Sequence, residues 1–374
     1  EDAPDFRARG ILYDISRNRI PTMASLFALV DFMADCKLNQ LQLYIEGFSY
    51  AYPSYPQVWQ DGTPMTGEEF MALDRYCRAR HIELVPVQNS LGHMMEWLAR
   101  EEFRDLAECP DGYEAEWKTD GLERPGTLDP TDPKAFELVR NMASDLLPYF
   151  SSELYNVCLD EPYELGKGKN AALRERIGRG RLYLNYVLNM HALVNSHGKR
   201  MMFWGDVICE YPELIGELPR DIVALEWGYE TNAPFDANGA KYKEAGIDFY
   251  VCPGTSSWNA ICGKSDKMAA NLRNAAINGK KHGAIGYLNT DWGDGGHWQP
   301  LAFSYPGFVY GAALSWSVDA NLDLDIAACL DRFVLQDRNR AAGSVIMELG
   351  RYGLVNEGYW EQEYGGNVTV IARL

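Results

Sequence analysis

The sequence lacks an apolar run of about 18 residues, the length that a transmembrane helix requires. It also lacks a basic surplus, because the formal net charge is -18, and this balance disfavours nucleic acid and anionic membranes as partners. The N-terminus, EDAPDFRARG, has neither an initial Met nor the charged-then-apolar layout of a signal peptide. We therefore expect a processed or trimmed chain, and what preceded it is unknown.

The eight cysteines are scattered and form no CxxC pair. Several fall within apolar strand or helix patterns, which is typical of buried free thiols. Free thiols favour a reducing compartment, so the sequence predicts a cytoplasmic protein, although large secreted enzymes also carry buried cysteines.

Several motifs that carry chemistry are also missing. With only six histidines and no early HxH motif, a catalytic zinc site is disfavoured. Walker and GxGxxG phosphate loops and the GxSxG elbow are absent. None of the predicted strands ends in a lysine that could form a Schiff base. We expect neither a metal ion nor an organic cofactor.

What the chain does have is an alternation of short apolar segments with helical patterns. Eight segments are almost continuously apolar, as strands covered on both faces are, and they are residues 10–15, 40–46, 82–88, 154–160, 200–206, 221–227, 246–253 and 283–290. This count predicts an α/β protein with a (β/α)8 TIM barrel over residues 1–340. Residues 341–374 are predicted to be a short C-terminal extension packed on the barrel. A doubly wound sheet is disfavoured because GILYDISRNRIP carries no glycine-rich loop.

Polar and aromatic residues follow the predicted strands, and barrel enzymes place their chemistry at these C-terminal strand ends. The set comprises Asp14, Arg17, Glu46, Gln88, Asn89, His93, Asp160, Glu161, Trp204, Asp206, Glu226, Trp227, Trp258, Asn289, Asp291 and Trp292. Carboxylates flanked by aromatic side chains are typical of glycosidases, because aromatic faces pack against sugar rings. The pattern therefore favours carbohydrate chemistry.

The segment LYNVCLDEPYELGKG (154–168) places two adjacent carboxylates, Asp160 and Glu161, after a strand. Neighbouring strand residues face opposite ways, so both can reach the barrel mouth only if the strand ends there, and we expect Pro162 to end it. Crowding the two acids is expected to raise the pKa of one of them, giving a proton donor. Taken alone, an Asp-Glu pair in this place is also typical of a helix N-terminus.

This segment resembles the fourth-strand signature of glycoside hydrolase family 20, the β-N-acetylhexosaminidases. The closer likeness is to the hexosaminidase D-like branch, in which a Tyr-x-Leu-Gly-x-Gly loop follows the acid pair. Four other segments resemble further parts of that branch in the same order, namely LQLYIEGFSY, IELVPVQNSLGHMMEWL, GTLDPTDP and FWGDVI. The likeness extends from about residue 9 to about residue 230. Family members often carry an additional α/β domain before the barrel.

The resemblance implies an exo-β-N-acetylhexosaminidase that acts on terminal GlcNAc or GalNAc of oligosaccharides or glycoconjugates with retention. Glu161 would be the general acid and then the base, the 2-acetamido group would be the nucleophile, and Asp160 would orient that group. The resemblance also implies a set of substrate-binding residues, namely Arg9 on the pocket floor, Glu46 and His93 along its lining, Trp204, Trp227 and Trp258 as walls, Tyr287 as a donor to the acetamide oxygen, and Asp291 and Trp292 on the hydroxyl side.

Alternatives stay open at this point. His93 could be a buried hydrogen-bonded residue, Glu46 a salt-bridge partner for an arginine such as Arg9, and Trp204 and Trp227 packing residues, while Arg17 is expected to be structural. A retaining glycosidase that pairs Glu161 with Glu226 is one rival. A non-catalytic sugar-binding barrel is another. GlcNAc against GalNAc preference and homodimer formation are undecided.

Overall fold

The computed structural model describes residues 3–351, in which eight parallel strands form one sheet. The strands are β1 (Ala8–Asp14), β2 (Gln40–Tyr44), β3 (Glu83–Pro86), β4 (Leu154–Asn156), β5 (Arg200–Trp204), β6 (Val223–Trp227), β7 (Asp248–Cys252) and β8 (Gly286–Asp291). Their hydrogen-bonded order is β3-β2-β1-β8-β7-β6-β5-β4. A parallel bridge between Val87 and Asn156 joins the two remaining edges. The predicted (β/α)8 barrel is confirmed.

Helices follow the strands and cover the outside of the barrel. They are α1 (Met23–Asp35), α2 (Pro56–Trp59), α3 (Gly67–Arg78), α4 (Met95–Leu98), α5 (Glu101–Arg104), α6 (Pro133–Leu146), α7 (Ala171–Ile177), α8 (Arg179–Ser196), α9 (Asp206–Cys209), α10 (Pro212–Ile215), α11 (Phe235–Ala245), α12 (Ser265–His282), α13 (Tyr305–Trp316), α14 (Val318–Asn321), α15 (Ile326–Cys329) and α16 (Ala342–Leu349). Short 3-10 turns occupy Leu147–Tyr149 and Leu301–Phe303, and a π-turn occupies Leu330–Val334. Within the described chain, no helix combines the length and the apolarity needed to cross a membrane.

The predicted C-terminal extension is described in part. Helix α16 and the residues after it lie beside the start of α12, where the Ser265 N–H donates to the Gly350 carbonyl and Arg351 pairs with Asp266. Residues 352–374 lie outside the described residues. The boundary at residue 340 stays a prediction.

Strand side chains alternate between two apolar layers, as the period of two requires. On β8, Leu288 belongs to the cluster inside the barrel, whereas Tyr287 belongs to the larger cluster between the sheet and the helices. Tyr287 packs against Phe6 at 5.5 Å between ring centroids and donates its hydroxyl to the Leu272 carbonyl. The phase of each strand therefore decides which side chains can reach the barrel mouth.

Strand β4 ends at Asn156, earlier than the predicted Asp160, and Pro162 is not what ends it. The Asn156 side chain accepts the Cys158 N–H, and Cys158 and Leu159 then adopt φ values of 60° and 75°. A left-handed backbone at a residue other than glycine is uncommon, and it breaks the strand pleat directly. Pro162 lies beyond this break and begins the next turn, because its carbonyl accepts the Leu165 N–H.

Arg9 lies near the N-terminal end of β1, on the face of the barrel opposite the strand ends that carry the polar residues. Its guanidinium donates to the carbonyls of Lys37, Phe6 and Arg7. The same group lies 5.1 Å from the ring centroid of Trp316. Arg9 therefore ties the start of the barrel to the end of α1 and to α13.

We expect Arg9→Met to lower the free energy of unfolding by about 2–3 kcal/mol, because half-buried carbonyls lose a charged donor. Arg7→Met is the matched control, since Arg7 is exposed two residues away, and it should change stability by less than about 0.5 kcal/mol. Urea unfolding measures both. Equal stability of the two variants would contradict a structural role for Arg9.

Candidate functional site

A cavity of about 1040 Å³ opens at the C-terminal ends of the strands. Eight of the residues predicted from the sequence line it, namely Glu46, His93, Asp160, Glu161, Trp204, Trp227, Trp258 and Trp292. They come from seven different strands or the loops that follow them. The barrel thus brings together residues that are far apart in the chain.

His93 lies at the centre of the carboxylates in this cavity. Its Nε2 is 3.3 Å from Oδ2 of Asp160 and 3.2 Å from Oε2 of Glu161, and its Nδ1 is 3.6 Å from Oε2 of Glu46. Both ring nitrogens therefore face carboxylate oxygens. One imidazole links the loop after β3 with those after β2 and β4.

The backbone around the acid pair is what lets both carboxylates face His93. Glu161 has a φ of 46°, and its N–H donates to Oδ2 of Asp206 at 3.1 Å. A Cβ on Gly92 would lie 2.2 Å from the Asp160 carbonyl oxygen, so only glycine permits this approach. Left-handed residues in a site cost of order 1 kcal/mol or more each and persist only where surrounding contacts hold them.

The charges of the cluster stabilise one another. Burial disfavours a charged imidazole, but Asp160, Glu161 and Glu46 together raise the pKa of His93 well above its ordinary value. Burial also tends to raise the pKa of Glu161, yet the bond to His93 outweighs it, and the net pKa of Glu161 is lowered. An imidazolium therefore faces an ionised Glu161 across the cavity floor.

The prediction that crowding raises the pKa of one acid of the pair is wrong for Glu161. His93, which is distant in sequence, reverses the direction of the shift for Glu161. Next to the pair, the pKa of Asp206 is raised, because Asp206 is buried and lies close to the Asp160 charge. Asp160 has one buried oxygen, Oδ1, with no hydrogen-bond partner among the described residues. A buried carboxylate oxygen without a partner indicates room for a donor from a ligand.

Arg17 forms a second charged cluster at the cavity wall. It donates to Oε2 of Glu46 at 2.6 Å and to Oδ1 of Asp294 at 2.7 Å, and it lies 3.5 Å from Oδ2 of Asp14. Burial tends to raise the pKa of Glu46, but Arg17 and His93 overcome this and lower it. Glu46 is therefore the salt-bridge partner of an arginine, and that arginine is Arg17.

Aromatic rings form the opposite wall. Trp227 stacks on Tyr229 at 5.2 Å, Tyr229 meets Trp258 edge to face at 4.9 Å, and Trp292 donates its indole N–H to the Tyr229 hydroxyl at 2.7 Å. Trp204 lies 6.0 Å from Trp292. Flat apolar faces beside carboxylates suit the apolar and hydroxyl faces of a sugar ring.

Three predicted substrate-binding residues lie outside the cavity. The prediction that Arg9 lies on the pocket floor is wrong, because Arg9 lies at the start of β1, at the face of the barrel opposite the cavity. Tyr287 and Asp291 are four residues apart on β8, so both side chains point outward toward the helices. Trp292, the next residue, points into the barrel. Asp291 instead accepts hydrogen bonds from Thr255 and Ser257 at 2.6 and 2.8 Å.

Glu226 also points outward, into the helix layer. Its carboxylate accepts from the Asn238 amide at 2.6 Å and lies 3.4 Å from the Tyr242 hydroxyl, both on α11. Burial raises the pKa of Glu226 to about 7. Glu226 does not line the cavity that holds Glu161, so the alternative of pairing these two carboxylates is wrong in geometry.

Tyr229 and Asp294 line the cavity but were not among the residues predicted from the sequence, and Arg17, which was expected to be structural, lines it as well as forming ion pairs. Tyr229 and Asp294 each follow a predicted tryptophan by two residues, and a period of two would have placed them on the same side. Arg17 follows the C-terminal end of β1, which is where a barrel places its site. In the described part of the chain, no group of three or more His, Cys, Asp or Glu side chains could hold a metal ion.

A parallel (β/α)8 barrel with an adjacent carboxylate pair and an aromatic wall at its C-terminal face defines the glycoside hydrolase class. Residues 6–289 match the glycosyl hydrolase family 20 catalytic domain, and the chain belongs to this family.

Relatives with curated names agree with this assignment. The chain is 24% identical to Beta-hexosaminidase 3 of Arabidopsis thaliana over 238 residues, which are 60% of this chain and 41% of that protein. It is 33% identical to a Beta-hexosaminidase of Akkermansia muciniphila over 109 residues, 25% of this chain and 22% of that protein. The chain spans less than half the length of such relatives.

Solved structures share the fold. A beta-N-acetylhexosaminidase crystal structure superposes with a TM-score of 0.70 at 20% identity, covering 90% of this chain and 78% of that one. The chitobiase of Flavobacterium johnsoniae gives 0.69 at 18% identity, covering 93% and 52%.

Gly92→Ala should test the close approach at the acid pair. The added Cβ must displace the Asp160 backbone, so we expect a loss of about 1–3 kcal/mol in unfolding free energy. The pKa of His93, followed by NMR titration, should fall toward its ordinary value as its carboxylate contacts lengthen. Gly216→Ala is the control, because a Cβ added at Gly216 would meet no atom within 4 Å. An unchanged His93 pKa in Gly92→Ala would contradict the role given to Gly92.

Proposed function

We propose that this chain is the catalytic barrel of an exo-acting β-N-acetylhexosaminidase that removes terminal β-linked GlcNAc or GalNAc. Family membership supports hydrolysis of this substrate class. The observation that carries the proposal is the convergence of Asp160 and Glu161 on one imidazole at the floor of an aromatic-walled cavity. The closer likeness to the hexosaminidase D-like branch, the cytoplasmic location and the question of a homodimer stay predictions.

In the proposed reaction, Glu161 protonates the glycosidic oxygen while the 2-acetamido carbonyl of the substrate attacks the anomeric carbon. The sugar becomes an oxazolinium-type intermediate, and Glu161 then removes a proton from the water that opens it. Two displacements at the same carbon retain the configuration. Asp160 would accept the acetamide N–H, a role supported by its unpartnered Oδ1.

The lowered pKa of Glu161 requires a source for the proton. His93 is 3.2 Å away and carries that proton before a sugar binds. A bound sugar that excludes water disfavours the charged pair, so the proton can pass from Nε2 of His93 to Oε2 of Glu161. His93 would thus supply the acid, and Glu46 would hold the imidazole from its other nitrogen.

Two assignments from the resemblance move to other residues. Tyr229, which lines the cavity where Tyr287 does not, is our candidate for the hydroxyl that donates to the acetamide oxygen. Arg17 and Asp294, held together at 2.7 Å, replace Arg9 and Asp291 as candidates for binding sugar hydroxyls.

The proposal predicts that aryl β-GlcNAc and β-GalNAc are hydrolysed, that the aryl β-glucoside, which lacks the acetamide, is hydrolysed far more slowly, and that a thiazoline analogue inhibits. Glu161→Gln should lower kcat by about 10²–10⁴-fold, the usual contribution of general acid–base catalysis. The loss should be smaller for a 2,4-dinitrophenyl leaving group, which needs little protonation.

Glu175→Gln is the matched control, since Glu175 is exposed on α7. Equal activity of Glu161→Gln and Glu175→Gln would remove Glu161 from the mechanism. Comparable rates on the glucoside and the N-acetylated substrates would rule out the acetamide nucleophile. Sugar binding without turnover of any of these glycosides would favour the non-catalytic barrel.

The His93–Glu161 pair also predicts a pH effect. His93 and Glu161 share one proton, and the free enzyme stays active as long as either group carries it. The alkaline limb of kcat/KM therefore follows the raised pKa at which the pair loses this proton. In His93→Gln the proton can reside only on the carboxyl. We therefore expect a lower rate and an alkaline limb that moves to lower pH. His191→Gln, on the outer helix α8, should leave the profile unchanged, and an unshifted limb in His93→Gln would contradict the shared proton.

A further inference from the structure

Most of the charged side chains that line the cavity are paired, and among the described residues Glu96, Arg124 and Lys264 are the ones that form no ion pair within 4.0 Å. Of the two cations, Arg124 is exposed and Lys264 is half-buried. Arg17 pairs with Glu46 and Asp294, His93 contacts Asp160 and Glu161, and Lys267 pairs with Glu230. Lys264 lines the same cavity. In the described chain, no carboxylate oxygen lies within 4.0 Å of its ammonium group.

Lys264 is half-buried, and its surroundings disfavour its charge. Burial and the neighbouring Lys267 lower the pKa of Lys264, the more distant Glu230 and Asp294 only partly oppose this, and the resulting pKa is about 8. Glu230 already pairs with Lys267, and Asp294 already pairs with Arg17. Neither carboxylate is therefore available as a close partner of Lys264. Among the described residues, Lys264 is therefore a half-buried cation of the cavity wall without an ion-pair partner at contact distance.

A second polar group on the same loop between β7 and α12 is also unsatisfied. The Ser256 hydroxyl is buried, lines the cavity and has no hydrogen-bond partner in the part of the chain that the structure describes. Ser256 adopts a φ of 50°, an uncommon conformation for serine. The loop is fixed to the rest of the site, because the Asn259 amide donates to Oδ2 of Asp294 at 3.0 Å.

We propose that Lys264, together with the Ser256 hydroxyl, recognises an anionic substituent, a sulfate ester or a carboxylate, on the natural substrate. The inference rests on the proposed function and narrows its substrate class to acidic N-acetylhexosamine-containing glycans. A neutral sugar hydroxyl could also accept from Lys264, but it would leave the charge uncompensated. An oxyanion accepts from the ammonium and the hydroxyl together and forms charge-assisted bonds.

The experiment compares kcat/KM for three substrates. They are 4-nitrophenyl β-GlcNAc, its 6-O-sulfate, and a disaccharide in which GlcNAc is β-linked to glucuronic acid. The 6-O-sulfate places the anion on the terminal sugar. The disaccharide places it on the neighbouring sugar, and its neutral counterpart is the same disaccharide with glucose in place of glucuronic acid. We expect a preference for one anionic substrate over its neutral counterpart, and the arm that shows it identifies the source of the anion.

Lys264→Met should reduce that preference by about tenfold, the scale of one charge-assisted contact, whereas Lys264→Arg should retain most of it. Added salt should weaken the preference of the parent protein and have little effect on that of Lys264→Met. Lys243→Met, at an exposed position of α11, is the matched control. An unchanged preference in Lys264→Met, or a parent protein that favours the neutral substrate in both arms, would overturn the inference.

The two proposals fail in different ways. Absence of turnover of the neutral aryl glycoside would refute the proposed function. Turnover without any effect of Lys264 on the anionic preference would refute this inference alone. Calorimetric binding of GlcNAc 6-sulfate and GlcNAc provides a readout that needs no turnover and also shows whether Lys264→Met still folds and binds sugar.

Discussion

The contact of His93 with Asp160, Glu161 and Glu46 is the interaction on which the rest of the site depends. Without the imidazolium, three carboxylates would meet at the cavity floor, with only Glu46 paired to another cation, and their repulsion would favour protonation or separation. With it, the loops after β2, β3 and β4 share one charge centre. The contact also helps to hold the left-handed backbone at Glu161, because in this conformation both Asp160 and Glu161 contact the imidazole. Gly92 makes the approach sterically feasible.

Most of the fold could be predicted because its signal is local. Each buried parallel strand is an apolar run of a few residues, and eight such runs alternating with helices leave few other architectures. The acid pair and the tryptophans were found for a similar reason, since they stand directly after those runs. The errors at Tyr287 and Asp291 came from ignoring strand phase: once Trp292 faces inward, its neighbour Asp291 must face outward. Arg9 was placed in the pocket by the family resemblance alone. Its position at the N-terminal end of β1 already indicated the opposite face of the barrel.

What the sequence could not provide was the electrostatics. The direction of the pKa shift of Glu161 depends on His93, which lies on another strand's loop, and local crowding with Asp160 suggests the opposite direction. The two closest partners of Arg17, Glu46 and Asp294, are remote in the chain, so its place in the cavity wall could not be predicted from its neighbours in sequence. The end of β4 depends on a side-chain bond from Asn156 and not on the visible proline. Such through-space contacts decide protonation and strain, and neither can be read from a pattern of residue types.

The charge distribution bears on how an acidic glycan would be received. A chain with a net charge of -18 repels anions at long range, so a substrate anion gains nothing during diffusional approach. The charge that favours it is local, at the cavity wall near Lys264. Recognition of this kind acts after encounter and lengthens the lifetime of the complex more than it speeds association. It also breaks no contact of the His93 cluster, because His93 and not Lys264 contacts the carboxylates that the proposed chemistry needs.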